Sequence, residues 1–323
     1  MQLSYAGPDL STRQKRLVKA IEWLSRGRGI SAVQRRFVDN ARDETFFRRA
    51  AAAFQLDTDV WFAPRAYIPA NGPLLVVANH PYGVVDGLAI SALLETARSD
   101  IRIIVWNAIG LPPSSQHFMP LDLSEQGSSA SRRQNVDIRR KATAHLRGGG
   151  CVVLFPSGSA EITSHPLARP AEAPWTALAS KLALKSGATV LPVFVHGHNS
   201  RLFHAASHMG KLVRRSLFLT ETRRMIGARI PCRIGEPLHA EQLRQMHAEA
   251  DHSSRRLSAR LRAMTLHLGH LVTHTDQWTR GLTGRLPDQG MASRSAPSFS
   301  TGIRSSLVTP ICNTVALATK MEE

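Results

Sequence analysis

The segment Asn79–Asp86 has the residue types of a general-base site, reading Asn-His-Pro-Tyr-Gly-Val-Val-Asp. It directly follows Leu74–Ala78, an apolar run of strand length, so His80 would leave the end of a buried strand on a turn. A nearby carboxylate can hold a proton on one nitrogen of a histidine, which leaves the other nitrogen able to accept a proton. We therefore predict a catalytic pair of His80 and Asp86, with Asn79 in contact with substrate. The spacing leaves an alternative open, in which Asp86 only caps a helix and His80 is a solvated turn residue.

A second candidate segment, Phe155–Ser159, follows another apolar run and reads Phe-Pro-Ser-Gly-Ser. Small residues at such a position let backbone amides approach a ligand or an oxyanion, although an ordinary turn has the same composition. The segment is not the Gly-x-Ser-x-Gly elbow of a serine hydrolase, because a phenylalanine stands two residues before its first serine. We predict that the amides near Gly158 face the oxyanion. We also predict that substrate contacts the four residues that follow Phe155: Pro156, Ser157, Gly158 and Ser159.

The third candidate segment, Gly197–Phe203, follows the apolar run Thr189–Val195 and reads Gly-His-Asn-Ser-Arg-Leu-Phe. A guanidinium binds phosphate or carboxylate in a forked geometry, and we predict that Asn199 and Arg201 contact substrate. Four histidines in and around this segment have side chains that can ligate a metal: His196, His198, His204 and His208. No acidic ligand lies near them in the sequence, so we predict no metal site.

The elements around these segments alternate between apolar strand-length runs and helical patterns. Strands are predicted at Leu74–Ala78, Ile101–Trp106, Cys151–Phe155, Thr189–Val195 and Arg229–Ile234. Helices are predicted at Ser11–Gly29, Asp43–Phe54, Gly87–Arg98, Ser131–Leu146, Pro174–Ser186 and Ala240–Leu268. This order indicates an α/β fold with a largely parallel central sheet and flanking helices, preceded by a helical N-terminal region. The carboxyl ends of parallel strands meet at one edge of a sheet, where sites form.

Composition divides the chain into four predicted regions. Residues 1–60 form a basic helical N-terminal region, and residues 61–245 form the α/β domain. Residues 246–275 form a C-terminal helix. Residues 276–323 are rich in Ser, Thr, Gly, Arg and Pro without clear periodicity, which predicts a poorly ordered tail.

The net charge of +17 on 323 residues points to an anionic partner, for which nucleic acid and anionic lipid are the two main classes. Three widely separated cysteines exclude a disulfide framework and a Cys-x-x-Cys site. No apolar run approaches the ~18 residues of a membrane span, and the first residues lack the pattern of a signal peptide. We therefore expect a cytoplasmic protein.

Together the three segments resemble the PlsC-like lysophospholipid and glycerophosphate acyltransferase family. The five residues between His80 and Asp86, and the motif at Gly197–Phe203, are most similar to its bacterial hemolysin-like or ornithine-lipid branch. The resemblance covers roughly residues 5–245. It implies transfer of a fatty acyl group from acyl-ACP or acyl-CoA, as co-substrate and without a cofactor, to the hydroxyl of a lysolipid. His80 would be the general base and Asp86 would orient it.

One departure from the family pattern concerns the acceptor. Ser157 and Ala160 stand where the family has a Glu and an Arg that are usually tied to the acceptor phosphate. We therefore expect a lyso-ornithine-type lipid or a larger lysophospholipid as acceptor, with lysophosphatidic acid a poor one.

The basic residues of Ser11–Gly29 predict peripheral association with the anionic inner face of the membrane. Two alternatives stay open: a non-catalytic lipid-binding relative, and a basic nucleic-acid-binding protein. The dispersed arginines and the lack of a nucleic-acid-binding motif argue against the second, and we predict no nucleic-acid partner.

Overall fold

The computed structural model describes residues 5–7, 10–39, 45–57, 67–107, 116–122, 128–165 and 168–270, and for residues 24–28 the backbone alone. Its strands are β1 Leu74–Ala78, β2 Ile101–Trp106, β3 Phe118–Leu121, β4 Cys151–Leu154, β5 Thr189–Val195 and β6 Cys232–Ile234. Its helices are α1 Thr12–Asp39, α2 Phe46–Ala53, α3 Val84–Leu94, α4 Ser129–Arg147, α5 Leu178–Ser186, α6 Arg201–Ser207, α7 Lys211–Arg224, α8 Ala240–Glu249 and α9 Ser254–Leu268.

The strands form one sheet in the order β3-β2-β4-β1-β5-β6. All neighbours are parallel except β6, which pairs antiparallel with β5. The α/β fold class with a largely parallel sheet and a helical N-terminal region is thereby confirmed. The strand β1 lies between β4 and β5, so the three candidate segments leave adjacent strands at the same edge.

Helices cover both faces of the sheet, which explains why β1 is an unbroken apolar run. Every residue of β1 is buried. Leu74, Val76 and Ala78 pack in the core on the side of α2 and α3. Leu75 and Val77 pack in a second core with residues of α4, α5 and α9.

The helix predicted to end at Gly27 or Gly29 continues to Asp39, so that prediction is wrong. A glycine inside a helix costs about 1 kcal/mol, which burial of Ile30 and Val33 offsets. Gly29 itself lies where a β-carbon would approach Cδ1 of Ile226 to 3.3 Å, so a small residue suits this close packing.

The single C-terminal helix predicted over Ala240–Leu268 is also wrong, because α8 and α9 are separate helices. Asp251 and His252 between them have φ values of 51° and 54°, which no helix continues through. Ser253 then caps α9 by accepting a hydrogen bond from the Arg256 amide. The helix α8 also runs across the boundary predicted after residue 245, and the division into four regions stays a prediction.

Several elements were not predicted or begin elsewhere. Neither the edge strand β3, which contains a proline, nor the helices α6 and α7 after β5 were predicted. The helix α3 begins at Val84 instead of Gly87, and α5 at Leu178 instead of Pro174. The strand β4 ends at Leu154, and β6 begins at Cys232. The predicted tail, residues 276–323, lies outside the described residues.

Among the described helices, none combines the length and apolar composition that a transmembrane span requires.

Candidate active site

Asn79 joins the ends of β1 and β5. Its side chain is buried and donates to the Val195 carbonyl oxygen (2.9 Å) and to Oε1 of Glu161 (3.1 Å). The Val195 amide donates back to Oδ1 of Asn79 (2.7 Å). The amide group is thus used within the protein to brace two strand ends, while direct contact of Asn79 with substrate stays a prediction.

His80 and Asp86 lie side by side on the turn from β1 to α3. Nδ1 of His80 is 3.0 Å from Oδ2 of Asp86, within hydrogen-bond distance although the two groups are not aligned as a hydrogen bond. Alignment of such contacts commonly tightens only when substrate is bound. Asp86 is fully buried, whereas the His80 side chain is 18% exposed.

Asp86 also holds the turn that carries His80. Its Oδ2 accepts hydrogen bonds from the amides of Tyr82 (2.9 Å) and Gly83 (3.0 Å) at the start of α3. Gly83 has a φ of 99°, a conformation that favours glycine. Asp86 therefore both caps the helix and contacts the histidine, and the catalytic role of the pair stays a prediction.

The ring of His80 is held against the second candidate segment. It stacks on Phe155 with ring centroids 4.0 Å apart. Its backbone amide donates to Oε2 of Glu172 (3.2 Å), and its carbonyl accepts from the Glu161 amide (2.9 Å). The histidine therefore has a defined position although it lies on a turn.

Two buried carboxylates that the sequence analysis missed, Glu161 and Glu172, support this arrangement. Burial raises the pKa of Glu161 to about 7, and the negative charges of Glu172 and Asp86 act in the same direction. Burial also raises the pKa of Glu172, whereas the hydrogen bond that Glu172 accepts from Trp175 Nε1 acts to lower it. No spacing in the sequence links either glutamate to His80, because the loop after β4 brings them there.

The second segment forms a tight turn at the end of β4. Gly158 has a φ of 71°, and its amide donates to the Phe155 carbonyl (3.1 Å). The hydroxyl of Ser157 donates to the Ser159 carbonyl (3.0 Å). Within the described residues, the amides of Ser159 and Ala160 have no hydrogen-bond acceptor. The amides of Ser159 and Ala160 are therefore available to an oxyanion.

His80 lines a cavity of about 1110 Å³. Its wall includes Pro156, Gly158 and Ser159 of the second segment. Apolar side chains from α2, α3, β2 and β3 line another part: Phe47, Leu88, Ile103 and Phe118. Basic residues of α7 complete it: Lys211, Arg214 and Arg215. The cavity exceeds the ~300–1,000 Å³ of common small-ligand pockets, so there is room for more than one small substrate.

The third segment is not brought to this cavity. Neither Asn199 nor Arg201 lines it. Arg201 is exposed on the first turn of α6, and the Asn199 side chain is buried without a hydrogen-bond partner in the described part of the chain. Substrate binding by these two residues stays a prediction that this geometry does not favour.

The histidines of the third segment do not assemble a metal site. His204 is buried, and burial lowers its pKa. Among the described residues, no group of three or more His, Cys, Asp or Glu side chains is placed to hold a metal ion.

Similarity to known proteins was found with a solved structure and with a family model. The crystal structure of the 1-acyl-sn-glycerophosphate (LPA) acyltransferase PlsC from Thermotoga maritima aligns with 17% identity and a TM-score of 0.38, over 77% of this chain and 88% of that one. Comparison with curated proteins gives no significant match. The family model described as "Acyltransferase" matches residues 62–258, more than half of the chain and the whole region that holds the three segments. The chain therefore belongs to this acyltransferase family.

Proposed function

We propose that the protein transfers a fatty acyl group from an acyl thioester, acyl-ACP or acyl-CoA, to the hydroxyl of a lysolipid. The observation that carries the proposal is His80, held 3.0 Å from a fully buried carboxylate in the wall of a large, partly apolar cavity. The thioester is a co-substrate, and no cofactor is needed. Within the family, we assign the chain to the hemolysin-like or ornithine-lipid branch on its sequence motifs.

The chemistry needs a base because a lipid hydroxyl is a weak nucleophile at neutral pH. Asp86 favours the His80 tautomer that carries its proton on Nδ1, which leaves Nε2 to take the hydroxyl proton. The hydroxyl oxygen forms a bond to the thioester carbonyl carbon, and the carbon–sulfur bond then breaks. His80 returns the proton to the leaving sulfur, so the enzyme ends unchanged.

The negative charge that develops on the carbonyl oxygen needs hydrogen-bond donors. The amides of Ser159 and Ala160 lack acceptors in the described part of the chain, and both residues line the cavity with His80. Backbone donors already fixed at the site of charge development need no reorganisation during the reaction. We assign the oxyanion to these two amides.

We further propose that a lyso-ornithine-type lipid or a lysophospholipid diester is a better acceptor than lysophosphatidic acid. Ala160 is buried and lines the cavity, where it offers only a methyl group. A phosphate monoester carries nearly two negative charges and calls for several charged donors.

The test is acyl transfer by purified protein to mixed lysolipid acceptors, with acyl-ACP and acyl-CoA tried in turn. His80→Ala should lower the rate by ~10²–10⁴-fold, the usual contribution of a general base. His198→Ala, which changes a histidine that does not line the cavity, is the matched control and should keep wild-type activity.

Retained transfer by His80→Ala would overturn the mechanism. A wild-type protein that binds lysolipid without transferring any acyl group would indicate a non-catalytic relative. Salt-sensitive binding to nucleic acid in place of lipid would indicate the second alternative.

We also propose that the protein works at the anionic cytoplasmic face of the membrane, with α1 in contact with lipid. Arg13, Arg16 and Lys19 are exposed on this helix. Trp23 is 73% exposed and Leu17 is 49% exposed. Basic side chains beside exposed aromatic and aliphatic ones are typical of a helix that lies in a membrane interface.

Vesicle co-sedimentation tests this location. The protein should bind anionic vesicles and dissociate at high salt, because surface charges are screened over ~10 Å at 0.1 M. The double variant Arg16→Gln/Lys19→Gln should bind about tenfold or more weakly, since each basic residue contributes roughly 1 kcal/mol. The control is Arg140→Gln/Lys141→Gln on α4, which removes the same charge from another exposed helix. Equal binding to neutral and anionic vesicles would contradict the proposal.

A further inference from the structure

One face of α7 supplies positive charge to the cavity. The lining residues of this helix are spaced as neighbours on a single helical face: Lys211, Leu212, Arg214, Arg215 and Phe218. Three of the five are basic.

The two arginines of this face differ in their surroundings. Arg215 is buried, donates from Nε to the Tyr5 carbonyl oxygen, and stacks on the Trp106 ring at 4.4 Å. Arg214 is half-buried, and within the described residues no hydrogen bond or ion pair reaches its guanidinium. Burial lowers the pKa of Arg214, and no carboxylate of the described residues opposes that change.

The position of Phe218 ties this face to the catalytic turn. A β-carbon at Gly83 would lie 3.5 Å from Cε1 of Phe218, so α7 packs against the turn that carries His80 and Asp86. Arg214 lies four residues earlier on the same face, which is ~6 Å along the helix axis. An arginine side chain can span that distance toward the reacting groups.

An unpartnered guanidinium in a partly desolvated wall is costly unless an anion completes it. Within the described residues, Asp122 is the only acidic side chain that lines the cavity, and it does not affect Arg214. No described residue supplies this anion, and an anionic ligand in the cavity would complete the guanidinium.

We propose that Arg214, assisted by Lys211, binds the phosphate group of a substrate in the cavity. This deepens the proposed function and rests on it. The planar guanidinium offers two parallel N–H donors to two phosphate oxygens, and Lys211, exposed on the first turn of α7, adds a second positive charge. The phosphate belongs either to a lysophospholipid acceptor or to the donor carrier, and the experiment distinguishes these two sources.

The experiment measures equilibrium binding by calorimetry, without catalysis. The three ligands are lysophosphatidylglycerol, a monoacylglycerol with the same chain and no phosphate, and coenzyme A. Wild type is compared with Arg214→Gln, Arg214→Lys and Arg140→Gln, the last an exposed arginine of α4 that does not line the cavity. Thermal unfolding of each variant checks the fold.

Arg214→Gln should weaken one phosphate-bearing ligand by about ten- to hundredfold, as expected for a lost charged hydrogen bond. Loss for lysophosphatidylglycerol with unchanged monoacylglycerol binding supports an acceptor phosphate, and loss for coenzyme A alone supports a donor phosphate. Arg214→Lys should retain part of the affinity, and Arg140→Gln all of it.

The proposal is overturned if Arg214→Gln binds both phosphate-bearing ligands like Arg140→Gln, or if it loses monoacylglycerol binding to the same extent. His80→Ala distinguishes the phosphate site from the proposed reaction, because this variant should lose acyl transfer and keep phosphate-dependent binding. If the wild type shows that binding but no acyl transfer, the proposed reaction fails while the phosphate site stands.

Discussion

The turn after β1 and the loop after β5 lie at the same edge of the sheet, where Asn79 joins them through Val195. Each contains a buried asparagine, and each is held by a buried carboxylate and includes histidine. In the first, the carboxylate of Asp86 faces the partly exposed His80. In the second, Glu221 accepts hydrogen bonds from the backbone amide and hydroxyl of Ser200.

The difference shows which property makes a sheet-edge loop a candidate for chemistry. His80 connects a buried carboxylate to a cavity, whereas neither His198 nor His204 lines that cavity. The second loop has similar residue types, but its carboxylate fixes a helix cap without facing a histidine that lines the cavity. The two loops therefore differ in their position relative to the cavity rather than in their composition.

The largest expected effect comes from exchanging the two carboxylates for amides. Asp86→Asn keeps an oxygen acceptor for the Tyr82 and Gly83 amides but removes the charge beside His80, so kcat should fall by about 10²-fold or more. Glu221→Gln, the counterpart in the second loop, should alter stability and leave kcat within about twofold. Steady-state kinetics on both variants is the measurement, and equal losses would remove the distinction between the loops.

The two buried asparagines give the next comparison. Asn79→Ala leaves the amide and carbonyl of Val195 without their side-chain partner and should lower the free energy of unfolding by about 3 kcal/mol. Asn199→Ala removes a side chain that makes no hydrogen bond in the described part of the chain, so its cost should stay within about 1 kcal/mol. Urea unfolding of both variants tests this, and a larger loss for Asn199→Ala would contradict it.

The smallest expected effect concerns Glu161. Its side chain accepts a hydrogen bond from Asn79 of the first loop and, within the described residues, none from the second loop. Its pKa of about 7 in the folded protein lies above its ordinary value of 4.5, so the folded state binds the proton more tightly. Its contribution to stability is therefore full below pH 4.5 and is lost as the pH rises toward about 7.

Glu161→Gln should remove this dependence. The variant should gain about 2–3 kcal/mol relative to wild type between pH 5 and pH 8, measured as the change in the difference between their free energies of unfolding in urea. A difference that stays constant across this range would show that Glu161 does not titrate there.

Features that depend on neighbours in the chain could be predicted from the sequence. The strands β1, β2 and β5 have the predicted limits. In β1 the reason is plain, because a parallel strand buried on both faces is a continuous apolar run. The contact between His80 and Asp86 is also local, since both lie on one turn between a strand and a helix.

Features that depend on contacts between distant parts of the chain could not be predicted from the sequence. Glu161 and Glu172 bond to Asn79 and His80 across 82 and 92 residues of sequence. The continuation of α1 past Gly29 depends on packing that no local propensity reports.

By itself, the sequence determined the parallel α/β architecture, the pair of His80 and Asp86, and the acyltransferase family. Only the tertiary structure decided that Arg214 enters the cavity and that Arg201 does not. The physical reason is that a charge pattern along a chain does not specify which face of a helix is covered. Packing of α7 against the Gly83 turn settled that choice.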